Sequence, residues 1–257
     1  MANWLEHIVE PKKLILAWQA PDAAGDRYRW AVGQVYENNG HVELQYFADD
    51  AEFCSVNQGK SFSALHSLGY RGYPAFPIKQ KRHRNNILST LMRRLPPRSR
   101  DDFDNYTAHF GIRHGAEISD FALLGRTEAR LPNDGFSLVD PLIDATLPCD
   151  LFIQVAGYRY HAVGIVPSLK VGDSITFREE NDNRHDPNAV EVMTRGGKVG
   201  YINRLQTGAL HRWLKADRVV ASVERMNGTP ERPRVLIFVR VRSQLQDVDF
   251  LASANAP

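Results

Sequence analysis

The sequence predicts an α+β protein in two parts: an N-terminal α+β domain with a small antiparallel sheet and short helices, then a small six-stranded β-barrel with one inserted helix. Three observations carry this. Strand-like segments at the start give way to helical ones, the order of an α+β unit. From about residue 150 the pattern turns into six short strand-like runs, most of them with period two and the last apolar along much of its length, the grammar of a small closed barrel. Between the two lies "LPNDGFSLVDPLIDATLPCD" (131–150), rich in proline and without a clear period. The domain boundary is expected in its second half, giving domains at 1–148 and 149–245 and a flexible tail at 246–257.

In the first part, "KLILAW" (13–18), "RYRWAVGQVY" (27–36) and "HVELQYF" (41–47) read as strands. The last two flank "ENNG", whose Asn-Gly is a hairpin signal. Ser61 is placed to cap a short helix bearing Phe62, Leu65 and Leu68 and ended by Gly69. "NNILSTLMRRLPP" puts Ile87, Leu88, Leu91, Met92 and Leu95 on one face before Pro96-Pro97 stops it. "SRDDFDNYTAHFG" opens with a Ser99…Asp102 capping-box spacing and ends at Gly111. "SDFALLG" (119–125) is one more short helix. In the second part the strands are "LFIQVAGY", "DSITFREE", "NAVEVMT", "KVGYIN", "RVVASVERM" and "RVLIFVRVR". Between the fourth and fifth, "NRLQTGALHRWLKA" predicts an amphipathic helix capped by Asn203, with Leu205, Leu210 and Leu214 on its buried face.

Composition narrows the function. The 257 residues carry a formal net charge of +2, so any nucleic-acid site must be local. Residues from Leu151 onward hold 15 Lys and Arg against 11 Asp and Glu. Cys54 and Cys149 lie far apart and neither has a metal-ligand spacing, so no disulfide framework, zinc site or other cofactor is expected. The start "MANWLEHIVEPKK" is acidic where a signal peptide is basic, and the apolar runs are far too short to span a membrane, so a cytoplasmic protein is expected.

The chemistry concentrates in "REENDNRHDPNAVEV" (178–192), which gathers Glu179, Glu180, Asp182, His185 and Asp186. Carboxylates with a histidine suit a hard or borderline cation, but Asn, Asp and Pro between strands are also ordinary turn formers. Two further stretches weigh toward a ligand. "VAGYRYHAVG" sets Arg159, Tyr160 and His161 side by side, and an Arg beside an aromatic suits a phosphate next to a stacked base. "GGKVGYINR" brings Lys198, Tyr201 and Arg204 to a helix N-terminus, where an anion is favoured. In the first part, Lys79 to Arg100 contains Lys79, Lys81, Arg82, Arg84, Arg93, Arg94, Arg98 and Arg100 without an acid. That run is either a solvated face or, around Lys79, Lys81, Arg82 and Arg84, a track for a phosphate backbone.

Taken in order, G-Y-R-Y, R-H-D-P-N-A-V and K-V-G-Y-I resemble the HIRAN domain family over residues 150–243. The resemblance implies an OB-like six-stranded barrel that binds the 3′ end of single-stranded DNA. Carried onto this chain, Arg159 would contact phosphate and Tyr160 would stack on the terminal base. His161 stands where the family has a second aromatic. Asp186 would accept the hydrogen bond of the 3′-hydroxyl, with Asn183 and His185 shaping the pocket. Tyr201 and Arg204, in place of a histidine and a lysine, would complete it. A carboxylate at that point would also repel a phosphate, so it selects for a free end.

The stretch of residues 30–125 containing "GYPAFPI", "NNILSTLMRRLPP" and "SDFALLG" is similar to the N-terminal subdomain of HipA-type kinases. No nucleotide loop or catalytic Asp/Asn set accompanies it, so this likeness implies an interaction or regulatory module. The resulting expectation is a non-enzymatic, bacterial-type protein that binds DNA ends and contacts a protein partner through residues 1–148. Two alternatives stand beside it. One is a regulator of a kinase or toxin acting through the first domain. The other is a metal-dependent nuclease using Glu179, Glu180, Asp182 and Asp186.

Overall fold

The structure is a computed structural model and describes residues 3–38, 40–47, 50–161, 169–216, 218–229 and 232–243. The tail expected at 246–257 lies outside the described residues, as do Asn39 of the hairpin turn and the end of "VAGYRYHAVG". The chain divides into two compact units, each discontinuous in sequence. One is Glu10–Thr107 with Gly115–Leu142; the other is Ile143–Pro257 with Met1–Val9 and Ala108–His114.

The N-terminal unit is a five-stranded antiparallel sheet of order β4-β3-β2-β1-β5 with short helices. Its elements are β1 (Lys13–Gln19), β2 (Arg29–Asn38), β3 (His41–Tyr46), α1 (Asp50–Val56), α2 (Phe62–Ser67), β4 (Arg82–His83), α3 (Ile87–Met92), α4 (Phe103–Ala108), α5 (Asp120–Thr127) and β5 (Phe136–Val139). Asn38 pairs with His41 across the expected tight turn, where Gly40 takes the positive φ of 77° that such a turn requires. Ser61 and Ser119 cap α2 and α5 by accepting the N–H groups of Ala64 and Ala122.

Three features depart from the sequence reading. Helix α4 begins only at Phe103, with the Asp102 carbonyl accepting from the Tyr106 N–H. The Asp102 carboxylate pairs with Arg100, so Ser99 and Asp102 form no capping box. Strand β5 lies inside the stretch that shows no period. All four of its residues are buried and it pairs with β1, and a strand covered on both faces carries no alternation. Helix α1 is likewise unannounced, being seven residues long and around the fully buried Phe53.

The C-terminal unit contains β6 (Cys149–Gln154), the one-turn helix α6 (Tyr158–His161), β7 (Ser174–Glu180), β8 (Ala189–Thr194), β9 (Gly197–Tyr201), α7 (Thr207–Lys215), β10 (Val219–Thr229) and β11 (Arg232–Val241). The six strands have the order β6-β11-β10-β7-β8-β9, all antiparallel. The first residues of β7 pair with β10 and the later ones with β8, so β7 turns the corner between two half-sheets. The two ends then meet: Ala156, just past β6, exchanges both backbone hydrogen bonds with Tyr201 of β9, at 2.8 and 2.9 Å. This is an OB-like barrel, with α7 between β9 and β10 as expected.

Asn203 does not cap α7. Its side chain accepts from Leu205 in the preceding turn, and the helix starts at Thr207 without a side-chain cap. The buried face of α7 is Thr207, Ala209, Leu210 and Trp213, whereas Leu205 and Leu214 are half-buried. The N-terminal segment is fixed to the barrel by Asp150, which is fully buried in β6. Its Oδ2 accepts the N–H groups of Glu6 and His7, and its Oδ1 accepts from Arg240 Nε at 2.8 Å.

Candidate nucleic-acid interface

The closure of the barrel builds the site. Strand β9 passes so close beneath residues 155–158 that a Cβ on Gly200 would lie 2.4 Å from the Ala156 carbonyl oxygen. Only glycine permits that approach. It brings α6, with Arg159, Tyr160 and His161, onto β9, and the His161 ring meets the Tyr201 ring edge-on at 5.1 Å. Arg159 lies over the Tyr160 ring at 4.7 Å and also donates to its hydroxyl. Tyr160 is 56% exposed, an aromatic face turned to solvent. Arg159 has no acidic partner among the described residues, and its Nε is shielded without a hydrogen-bond partner.

Beneath this turn lies a charged ladder. Antiparallel register sets Arg178 opposite Glu191, and Glu191 opposite Tyr201, on one face of β7, β8 and β9. Glu191 is 1% exposed and receives Arg178 Nε at 2.5 Å and Lys198 Nζ at 3.0 Å. The Tyr201 hydroxyl donates to Glu180 Oε2 at 2.8 Å and accepts from Lys198 Nζ at 2.9 Å. Asn183 Nδ2 reaches Glu180 at 2.5 Å and Tyr201 at 3.4 Å.

These contacts set the protonation states. Hydrogen bonds from Asn183 and Tyr201 hold the Glu180 carboxyl below its ordinary value. Burial opposes the Glu191 charge, yet the hydrogen bonds of Arg178 and Lys198 outweigh it and keep that group low as well. Hydrogen bonding to Tyr201, then to Glu191, raises Lys198. Burial and then the Lys198 charge lower His161, partly offset by Glu180 and Glu191. These two effects favour the neutral ring of His161.

The β7–β8 loop is organised by Asn183, whose Oδ1 accepts the N–H groups of His185 and Asp186. Asp186 Oδ1 accepts from the Asn188 N–H at 2.9 Å, an Asx turn that leaves Oδ2 without a hydrogen bond among the described residues. His185 is exposed, and Arg204 lies half-buried between β9 and α7. The structure thus connects His161, Asn183, Lys198 and Tyr201 directly, with Arg159 and Tyr160 on the His161 turn and His185 and Asp186 on the Asn183 loop. Missing from the sequence reading is Glu191, the acid that anchors the ladder. Its signal was an acid between Val190 and Val192 in an otherwise apolar strand.

Two of the four acids of the nuclease reading are parted. Alternation along β7 sends Glu179 to the other face, where its Oε1 meets His211 Nδ1 at 2.6 Å, while Glu180 faces Tyr201. Among the described residues the one group of three side chains within metal-binding range is Glu6, His7 and Asp150. There the Asp150 carboxylate is already satisfied by Arg240 and two backbone N–H groups.

In the N-terminal unit the basic run is largely paired with acids from elsewhere in the fold. Arg82 and Arg84 converge on the buried Glu43, and Lys81 lies 3.5 Å from Glu52. Arg94 is a core residue, bidentate on Asp134 at 2.5 and 3.0 Å. Arg98 and Arg100 bind Asp120 and Asp102.

The strand order, with β6 and β9 closed on each other through Ala156 and Tyr201, defines an OB-like type of domain. The HIRAN domain family model matches residues 149–244, and the C-terminal unit carries a HIRAN domain. Such a domain supports a DNA-binding role. Among solved structures, the HIRAN domain of human HLTF is similar at 18% identity, over 42% of this chain and 89% of that one, with a TM-score of 0.31. A protein from Lactobacillus plantarum is similar at 23% identity, over 35% and 92%, with a TM-score of 0.30. No curated protein matches the sequence. No helix among the described residues is long and apolar enough to cross a membrane.

Proposed function

We propose that the C-terminal unit binds free 3′-hydroxyl ends of single-stranded DNA without catalysing a reaction, and that the N-terminal unit contacts a protein partner in the cytoplasm. The observation that carries the DNA reading is the Arg159–Tyr160 pair. A guanidinium without an acidic partner among the described residues lies over an exposed aromatic ring, beside the His161 ring that stands against Tyr201. An exposed ring offers a stacking platform to a base, and the unmatched cation a seat for the adjoining phosphate. Asp186, with one carboxylate oxygen left over from its turn, supports selection for a terminal hydroxyl. The likeness of residues 30–125 to a HipA-type subdomain supports the partner reading for the other unit.

The test is competition by fluorescence anisotropy between a labelled linear oligonucleotide and unlabelled linear or circularised single strands. End recognition requires the linear competitor to win at equal nucleotide concentration. Equal competition by circles overturns it.

A further inference from the structure

The β7–β8 loop that carries Asp186 is held from both faces of β7. Consecutive residues of a strand point to opposite faces, so Glu180 turns toward Tyr201 and Glu179 toward α7. On the Glu180 face, Asn183 closes the first half of the loop, donating to Glu180 and accepting the His185 and Asp186 N–H groups. On the Glu179 face the loop is held through one imidazole. His211, half-buried on α7, has Nδ1 2.6 Å from Glu179 Oε1 and Nε2 3.0 Å from the Asn188 carbonyl oxygen. Asn188 is also the residue whose N–H closes the Asp186 turn at 2.9 Å. A single ring therefore joins α7, β7 and the Asp186 turn.

Both partners of that ring are acceptors. A backbone carbonyl has no proton to give. The hydrogen bond from His211 holds the Glu179 carboxyl below its ordinary value, against some burial, and the charges of His211 and Lys215 add to this. A neutral imidazole has one N–H, so one of its nitrogens would aim a lone pair at an oxygen; only the imidazolium donates to both. The other charged side chains of α7 are Arg212 and Lys215. Arg212 donates to the carbonyls of Gly208 and Ile143, and Lys215 acts on Glu179 through its charge. From β8 the neighbour of Glu179 is the buried, apolar Val190.

We propose that His211, carrying both protons, is a positioning residue for Asp186: it pins the Asn188 end of the β7–β8 loop so that the Asp186 carboxylate meets the terminal hydroxyl of a DNA 3′ end, and it makes that recognition respond to pH. This rests on the end-binding reading for what Asp186 does. When the ring loses a proton as pH rises, the remaining N–H stays with the Glu179 carboxylate, because a hydrogen bond to a charged acceptor is the stronger one. The Asn188 carbonyl then faces a lone pair, and the turn that orients Asp186 loosens while α7 stays on β7.

The experiment compares 3′-hydroxyl with dideoxy-terminated single strands, which carry equal charge, by fluorescence anisotropy with the full chain from about pH 5 to about pH 8. A bond from the hydroxyl to a charged acceptor gives about a tenfold preference for the hydroxyl end. In wild type this preference should be largest at the acid end and fall as pH rises. In His211→Gln it should be small and flat with pH, at a urea midpoint close to that of wild type. His161 and His185 remain in this variant, so the part of the profile that disappears belongs to His211. Imidazole NMR of the DNA-free wild type reads the ring independently of any variant. The neutral form of His211 should be the Nδ1–H tautomer, and the Asn188 amide signal should move in step with the ring. A hydroxyl preference that ignores pH in wild type, or survives in full in His211→Gln, overturns the positioning role, as does an Nε2–H tautomer. A wild-type chain without hydroxyl preference at any pH overturns the end-binding reading, and with it the positioning of a hydroxyl, while coupled His211 and Asn188 titrations would still establish the latch on the loop.

Discussion

Asp186→Asn separates the electrostatic role of this residue from its structural one. The Asp186 Oδ1 accepts the Asn188 N–H at 2.9 Å, while its own N–H is held by Asn183. An asparagine keeps an acceptor oxygen in that place, so the loop should persist and stability should change by no more than about 0.5 kcal/mol. Asp186→Ala also removes the turn bond, at about 1 kcal/mol. The charge strengthens the bond from a terminal hydroxyl, and it matters most when a phosphate replaces that hydroxyl. Two unit charges about 4 Å apart repel by about 1 kcal/mol in water and about 4 kcal/mol at an effective dielectric of 20. Asp186 is half-buried, which places it between these limits. Even the lower one gives wild type at least about a fivefold preference for a 3′-hydroxyl over a 3′-phosphate oligonucleotide. Asp186→Asn should erase most of that preference by strengthening the 3′-phosphate complex, and matched oligonucleotides in an anisotropy titration measure it directly. Undiminished discrimination in the asparagine variant would refute the reasoning.

Tyr160→Ala should lower affinity for single strands by about 1–3 kcal/mol while leaving the urea midpoint unchanged, because the ring is mostly exposed. Lys198→Met should raise the pKa of His161, since the Lys198 charge is one of the two causes that lower it; an NMR titration of the imidazole reads this. The same shift has a sign in stability. The folded chain prefers neutral His161, so its contribution is complete above the unfolded pKa of about 6.5 and is lost as pH falls below it. Arg94→Ala should cost about 3–5 kcal/mol in a denaturant titration, by stranding Asp134 and the carbonyls of Ala129 and Phe136. The adjacent, exposed Arg93→Ala should cost no more than about 0.5 kcal/mol.

What the sequence disclosed follows from where its periods are physical. Most of the barrel runs alternate in sequence and turn formers separate them, so all six were legible, as was the helix between β9 and β10. Strand β5 was hidden because both faces are buried, and α1 because seven residues complete too few turns to show a period. The candidate residues were legible through residue type and adjacency, but their pairing was not. Nothing local says that Arg94 enters the core while Arg93 stays outside. Nor does the acid-free run from Lys79 to Arg100 show that Glu43, some forty residues upstream, meets Arg82 and Arg84. Such partners are chosen by sheet register, a long-range property.

Register also decides which cations remain for DNA. Arg178, Lys198, Glu180 and Glu191 hold two positive and two negative charges in contact, so this ladder presents no net charge to an approaching phosphate. Lys198 is spent on Glu191 and the Tyr201 hydroxyl, and its consequence for the site runs through position: it fixes Tyr201, and Tyr201 fixes the His161 ring. Arg159 lies outside this cancellation. A buried, fully paired acid under the proposed DNA surface is then consistent with binding, because the carboxylate that could repel phosphate is matched, and the Arg159 guanidinium proposed to attract it has no acidic partner among the described residues.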